Sequence, residues 1–541
     1  MRRRLAVLVW ALPVAAVLPL ASGTTFALEA DAATGGPQQL VSAALNPAPT
    51  APGLTTPGCP GTGSQATGVA LSWTDSQSAT LDAAGGSLVS GYSVARSTTP
   101  AGPYAAVTST SGGPAPTTAT DAPPTTGTGT ALVVDGTAAG SKLAYSLPEA
   151  TQAASAGVAV GTTGVEPNNV QTTPDGAYAV LAESTANQVQ VLALSGTTWS
   201  VVKTLAVTDP IAVAVNPVPA AGTYTAYVLS FAGTTANSSV YPVSVTGATS
   251  TLGAAVAVAH TSDPAAMLVT PNGTSVYVAD LNSHTVSVLP TTGGAATSVT
   301  LPGTAAAQPD ALAVTPDSSH VYVADRANSW LDDITVATAT VGTHVVLAAG
   351  GLNDTILPTA GNPNTLAMTP TGQGVYVAEF GTAEVQLVHT ALSPTTPDTV
   401  VASIAAVAGS QPIDLAMSPN GCQVYVADWP SNNIFVIATP TNTLSTVLTT
   451  ACWTQDPQPM QVTPDNKYLV IPENYRCGDV QILNTATNAV TTVGTVGAYP
   501  AAVAIPPVDY YYEVTASHLQ WTSIPSSPAM VAVGWNPGGW Q

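Results

Sequence analysis

An all-β chain built around a β-propeller is what this 541-residue sequence predicts, on three observations. A phrase recurs along it: VTPNGTSVYVAD at 269–280, VTPDSSHVYVAD at 314–325, MTPTGQGVYVAE at 368–379 and MSPNGCQVYVAD at 417–428, with weaker copies at 173–183 and 462–473. The matching prolines (Pro174, Pro217, Pro271, Pro316, Pro370, Pro419, Pro464 and Pro506) recur every 42 to 54 residues, the period of a repeat architecture. The 46 Pro and 46 Gly suit many turns, and no long stretch of the mature chain carries helical periodicity.

Each repeat has one grammar. A short apolar run leads into Thr/Ser-Pro. A polar turn follows, usually Asn or Asp with Gly, in which Pro fixes φ and Gly or Asn accepts a positive one. A β-branched, aromatic strand (VYVA) comes next and ends on an acidic residue. A polar loop, a third strand and a Thr/Val-rich fourth strand complete the unit. Four short strands in about 45 residues make a propeller blade.

These units resemble the YVTN family of β-propeller repeats, whose signature phrase reads YVAD here, over about 131–507. The resemblance implies four-stranded blades around a central channel and an exported or surface-layer protein, with lactonases and lyases among related propellers. The departure is at the last position, Asp or Glu here where the family often has Asn.

In chain order, Arg2, Arg3 and Arg4 precede an apolar run at 5–20, the pattern of a secretory signal peptide, expected within 1–33. Residues 40–124 then resemble the first part of a fibronectin type III sandwich: GVALSWT with an inward Trp73, a hairpin at 91–107 and a strand at 117–124. Its closing strands are expected at 508–535, where a Tyr-rich strand supplies the corner tyrosine; 536–541 is a tail. The propeller, 130–507, is thus expected as an insertion, which an exposed loop tolerates when the inserted ends lie close. The two ends of the insertion support this. Residues 130–161 resemble blade strands two to four without a first, and 499–507 a first strand without followers. Joined, they make one blade, giving eight in all; seven is the alternative count.

Net charge is −21, and only six of the nine Lys and Arg remain in the mature chain, scattered singly. That excludes the clustered basic footprint of a nucleic-acid binder. No second apolar run is long enough to span a membrane. The four cysteines suggest disulfides in an exported chain. Cys452 and Cys477 fall in loops on one propeller face. Cys422 lies in a turn on the opposite face, where the sandwich carrying Cys59 attaches. The expected pairs are therefore Cys452–Cys477 and Cys59–Cys422, the second stapling the two domains.

The acids closing each phrase are the main site candidates: Asp280, Asp325, Glu379 and Asp428, with Glu183, Glu473 and Asp135 as weaker equivalents. Repeat symmetry puts them around one rim, where carboxylates suit Ca²⁺, another divalent cation or a cationic ligand. The competing reading is that each bonds its own loop backbone. Trp429 and Trp453 flank this rim and suit sugars or peptides. The six histidines fall at non-equivalent positions, and no GxSxG, HExxH or phosphate-binding motif occurs. The expectation is a monomeric, secreted or cell-surface protein that binds an extracellular protein, peptide or glycan on its loop face. It has no assigned catalytic residue and no cofactor beyond a possible cation. The alternative is a lactonase- or streptogramin-lyase-like enzyme with a metal in the channel.

Overall fold

The computed structural model describes residues 169–505 apart from 221, 232–237, 259–263, 282, 304–306, 349–365, 392–396, 407–408, 430, 432, 450–459, 465, 473–479 and 494–499. Outside that span it describes the strands at 25–28, 42–45, 53–55, 69–72, 91–97, 105–111, 118–121, 130–135, 142–148, 158–161, 508–518, 521–522 and 529–533. The chain divides into two compact units: 58–67, 124–508 and 532–541 in one, and 1–57, 68–123 and 509–531 in the other.

The larger unit is a β-propeller. Seven antiparallel sheets follow one another along the chain, their first strands being Asn169–Thr172, Pro210–Val215, Pro264–Val269, Pro309–Val314, Leu366–Met368, Pro412–Met417 and Gln461–Val462. We number these blades one to seven. Each has its four strands side by side in chain order, and blade two adds a short fifth strand.

Burial explains the sequence pattern. The second strands His320–Asp325 and Gly374–Glu379 are buried at every position. Neighbouring blades cover both faces, so these strands read as continuous apolar runs instead of alternating. The fourth strand Thr443–Thr449 alternates exposed and half-buried residues, as an outer edge does. The repeated Tyr277, Tyr322, Tyr376 and Tyr425 are 0–1% exposed and pack into the seams between blades.

The Thr/Ser-Pro turn is a hydrogen-bonded device. Thr315 Oγ1 accepts the His320 N–H (3.0 Å) and donates to Asp317 Oδ1 (2.6 Å). The bond to the residue five positions on recurs from Thr173, Thr270, Thr369, Ser418 and Thr463. Gly176, Gly273, Gly372 and Gly421 take φ of 67–71° in this turn, while Ser318 and Asn466 occupy the same left-handed place at 62° and 61°. Those two side chains accept the Asn272 and Asn420 N–H groups of the preceding blade, both at 2.9 Å.

A further four-stranded sheet is composite, as the sequence leads one to expect. Pro500–Ala504 pairs antiparallel with Thr130–Asp135, followed by Lys142–Pro148 and Val158–Gly161. Val503 and Ile505 pack with Val470, Val480 and Ile482 of blade seven; Ala504 packs with Val170, Ala179 and Leu181 of blade one.

The smaller unit contains a three-stranded sheet, Gly53–Thr55, Val69–Ser72 and Thr118–Asp121, and a five-stranded one. In the latter, Val508–His518 lies against Gly91–Ser97, with Tyr511 opposite Ser97 and Ser517 opposite Gly91. One sheet is therefore assembled from chain on both sides of the propeller. Thr25–Leu28 pairs with Ser42–Leu45, although it falls within the segment expected as signal peptide. No helix among the described residues is long and apolar enough to cross a membrane.

Candidate functional site

The recurrent acids are the first place to look, because each ends a second strand at an equivalent position. They do not form an open rim. Glu183, Asp280, Asp325, Glu379 and Asp428 are at most 1% exposed. Asp325 Oδ1 accepts the N–H groups of Gln308 (2.9 Å), Ala327 (3.1 Å) and Asn328 (3.3 Å), and its Oδ2 accepts Asn328 Nδ2 (2.6 Å). The Arg326 N–H returns to the Gln308 carbonyl (2.9 Å), so the residue entering the first strand is held from both sides. Blade six repeats this: Gln411 N–H donates to Asp428 Oδ1 (2.5 Å), Trp429 N–H to Gln411 O (3.0 Å), and Ser431 Oγ to Asp428 Oδ2.

In blades one, three and five the same acid bonds its own following residues. Gln188 Nε2 donates to Glu183 Oε2 (3.0 Å), the Ser283 N–H to Asp280 Oδ1 (3.2 Å), and Thr382 Oγ1 to Glu379 Oε2 (2.8 Å). Burial pushes the Glu379 carboxyl up to about 7, with the nearby Glu384 adding to the rise. Burial also raises Asp428, against the bonds from Ser431 and Gln411. Among the described residues no three His, Cys, Asp or Glu side chains stand close enough together to hold a metal ion. The physical reason is repetition. An acid that staples each blade's loop is spaced one blade from its nearest copy.

Trp429 is half-buried and packs on the core of blades six and seven beside Ile413, Met460 and Ile471. Cys422 is disulfide-bonded, its partner lying outside the described residues. Glu473, Trp453, Cys59, Cys452 and Cys477 also lie outside them, as does the side chain of Asp135.

Sequence reasoning about recurring residues missed the polar groups that interrupt the pattern. The partner opposite the repeated Tyr is Val288, Leu387 and Val436 in blades three, five and six, but Asp333 in blade four. His320 Nδ1 bonds Asp333 Oδ1 at 2.8 Å, with 10% and 13% of the two side chains exposed. The phrase WLDDIT, with acids on an otherwise aliphatic strand, was the available signal.

No family model and no curated protein matches the sequence. Among solved structures the chain is similar to dihydro-heme d1 dehydrogenase NirN in complex with DHE: 13% identity, TM-score 0.51, 69% of this chain and 73% of that one covered. It is also similar to a 6-phosphogluconolactonase-like protein of Bacteroides fragilis, at 15% identity and TM-score 0.45 over 71% of this chain and 99% of that one. A second such protein, from Bacteroides uniformis, aligns at 14% identity and TM-score 0.45 over 70% and 100%. At these identities the likeness extends to the propeller fold alone.

Proposed function

We propose that this chain is an extracellular binding protein, exported by its N-terminal signal and using propeller loops to hold a protein, peptide or glycan. The observation that carries this reading is the use of the recurrent carboxylates. Asp325 accepts four hydrogen bonds from its own blade, so the acids serve the frame and ligand recognition falls to residues that differ between blades.

We read the composite sheet as an eighth blade. Its entering strand carries the bulge found in blades two, three, four and six, one residue after a proline: Pro500/Ala502 matches Pro210/Ala212, Pro264/Ala266, Pro309/Ala311 and Pro412/Asp414. It also takes the same staple from the blade before it. Gln461 Oε1 accepts the Ile505 N–H (2.9 Å), 44 residues on, as Asn169 Oδ1 accepts Val213 N–H (3.1 Å) at the same separation. The smaller unit is read as a split fibronectin type III-like sandwich, supported by its sheets of three and five strands and by the return of Val508–His518 to Gly91–Ser97. For Cys422, which is disulfide-bonded, we favour Cys59 as partner.

The test is a screen of the purified chain against glycan and peptide arrays, with and without chelator, beside a lactone-hydrolysis assay with added divalent metals. Chelator-independent binding without turnover supports the reading. Metal-dependent lactone opening overturns it in favour of the enzyme.

A further inference from the structure

The turn between the first two strands of blade three carries a nitrogen that the frame does not use. In it Asn272 Oδ1 accepts Thr270 Oγ1 (2.8 Å), the Thr274 N–H (3.1 Å) and Thr274 Oγ1 (2.8 Å). Blades one and four place an aspartate here and build the same turn with it. Asp175 Oδ1 accepts Thr173 Oγ1 (2.6 Å) and the Ala177 N–H (3.0 Å). Asp317 Oδ1 accepts Thr315 Oγ1 (2.6 Å) and the Ser319 N–H (3.0 Å). The turn therefore needs an acceptor oxygen at this position and no amide. Asn272 is exposed, and its Nδ2 makes no hydrogen bond among the described residues.

The two residues that follow complete a modification signal. Asn272-Gly273-Thr274 is an Asn-x-Thr triplet, the acceptor pattern for N-linked sugar in exported chains. Thr274 is exposed as well. Blade six gives the contrast. Its turn reads Asn420-Gly421-Cys422, without the hydroxyl, and Asn420 Nδ2 is buried. Two further triplets of the Asn-x-Ser/Thr kind begin at Asn237 and Asn353, outside the described residues.

We propose that Asn272 is an acceptor site for an N-linked glycan. Nδ2 attacks C1 of a sugar carried on a polyprenyl pyrophosphate. The C1–O bond to phosphate breaks, the lipid pyrophosphate leaves with the electron pair, and Nδ2 gives up one proton to a base of the transferase. The product keeps Oδ1, so all three bonds of the turn survive. The turn also sets when transfer happens. Gly273 is buried, and its carbonyl accepts Asn216 Nδ2 (3.0 Å) and Thr291 Oγ1 (2.7 Å). The Asn272 N–H is held by Ser318 Oγ of blade four (2.9 Å). A transferase has to grip the triplet as open chain, so transfer precedes the packing of blades two, three and four. With only 7% of residues charged, the surface gains hydration from such a group. The site rests on the export reading, because lipid-linked sugars are met during export, and it is independent of what the propeller binds.

The test expresses the full chain in cells that transfer N-linked glycans. One form keeps its own N-terminus, and a second has residues 1–33 replaced by a leader that those cells export. Glycopeptide mass spectrometry then maps the product. The expected result is a glycan on the peptide holding Asn272, released by a peptide amidase that leaves Asp in its place. Asn272→Asp and Thr274→Ala should each abolish it, and Thr274→Ser should keep it. Blade one already has Asp175 and Ala177 at these two places, so unchanged urea midpoints are expected for both losses. A glycan on the second form while the first stays inside the cell supports the site and sinks the export signal. An unmodified Asn272 in a secreted chain overturns the proposal when Asn237 or Asn353 is occupied, or when a reference glycoprotein from the same cells is fully modified. So does a glycan at Asn272 that survives Thr274→Ala.

Discussion

Replacing Asp325 by Ala separates a structural acid from a binding one. The side chain is 0% exposed and holds four donors: the backbone N–H groups of Gln308, Ala327 and Asn328, and Asn328 Nδ2. A hydrogen bond to a charged group contributes about 1.5–3 kcal/mol net. The four do not add, because the loop at Ala327 and Asn328 can turn its donors to water. Gln308 N–H at 2.9 Å and Asn328 Nδ2 at 2.6 Å are the shortest, and losing those two sets the scale at about 3–5 kcal/mol. Asp325→Asn keeps an oxygen for the backbone donors but turns an amide N–H toward Asn328 Nδ2, so it should cost only about 1–2 kcal/mol. Urea unfolding of the full chain, followed by tryptophan fluorescence, reads both values from the midpoint at constant slope. The reasoning fails if Asp325→Ala unfolds within about 0.5 kcal/mol of the parent chain, or if either variant stays as stable but loses a calcium-binding isotherm that the parent shows.

Three other changes test the frame. Gly372→Ala places a Cβ 3.0 Å from Pro316 Cδ at a φ of 71°, and should cost about 1–3 kcal/mol in the same urea assay. Thr315→Val removes the acceptor for the Ser319 and His320 N–H groups (3.1 and 3.0 Å) and should cost about 2 kcal/mol, with faster amide exchange confined to that turn. Asp332 is 0% exposed with both oxygens unpartnered, and burial first, then the charge of Asp325, pushes its carboxyl up to about 7. A carboxyl raised on folding favours the fold while neutral. Its contribution is complete below about pH 4 and is lost as pH climbs through 7. Asp332→Asn should therefore gain up to a few kcal/mol over the parent at pH 8 and little at pH 4, in urea midpoints across that range.

The blades were legible because the same demands recur in most of them. Thr or Ser before Pro (blades one and three to seven), a left-handed residue after it and a Tyr in the seam (blades two to six) are local requirements, and a local requirement writes itself into copy after copy. The composite sheet was legible for the same reason, since Pro500–Ala504 and Thr130–Asp135 each carry half of the pattern. The site was not. Asp280 and Asp325 recur because loops need them, so recurrence pointed to the staple and away from recognition. His320 and Asp398 are 78 positions apart in the chain. Only the packing of blade five on blade four brings them to one seam, and no pattern along either repeat encodes that distance.

The polar contacts between neighbouring sheets rest on one property of repeat architectures. Each blade buries both faces against neighbours, so a polar side chain at a seam gains by bonding across to the adjoining sheet. Gln461 and Asn169 do this, each accepting an N–H from the next sheet along the propeller unit. Ser318 and Asn466 act at the turn in the other direction, each accepting an N–H from the preceding blade. The Tyr322 hydroxyl meets Asp398 and Thr390 of blade five across its seam. Tyr376 and Tyr425, at the same position, donate to Asn442 Oδ1 (2.6 Å) and Gln423 Oε1 (2.7 Å).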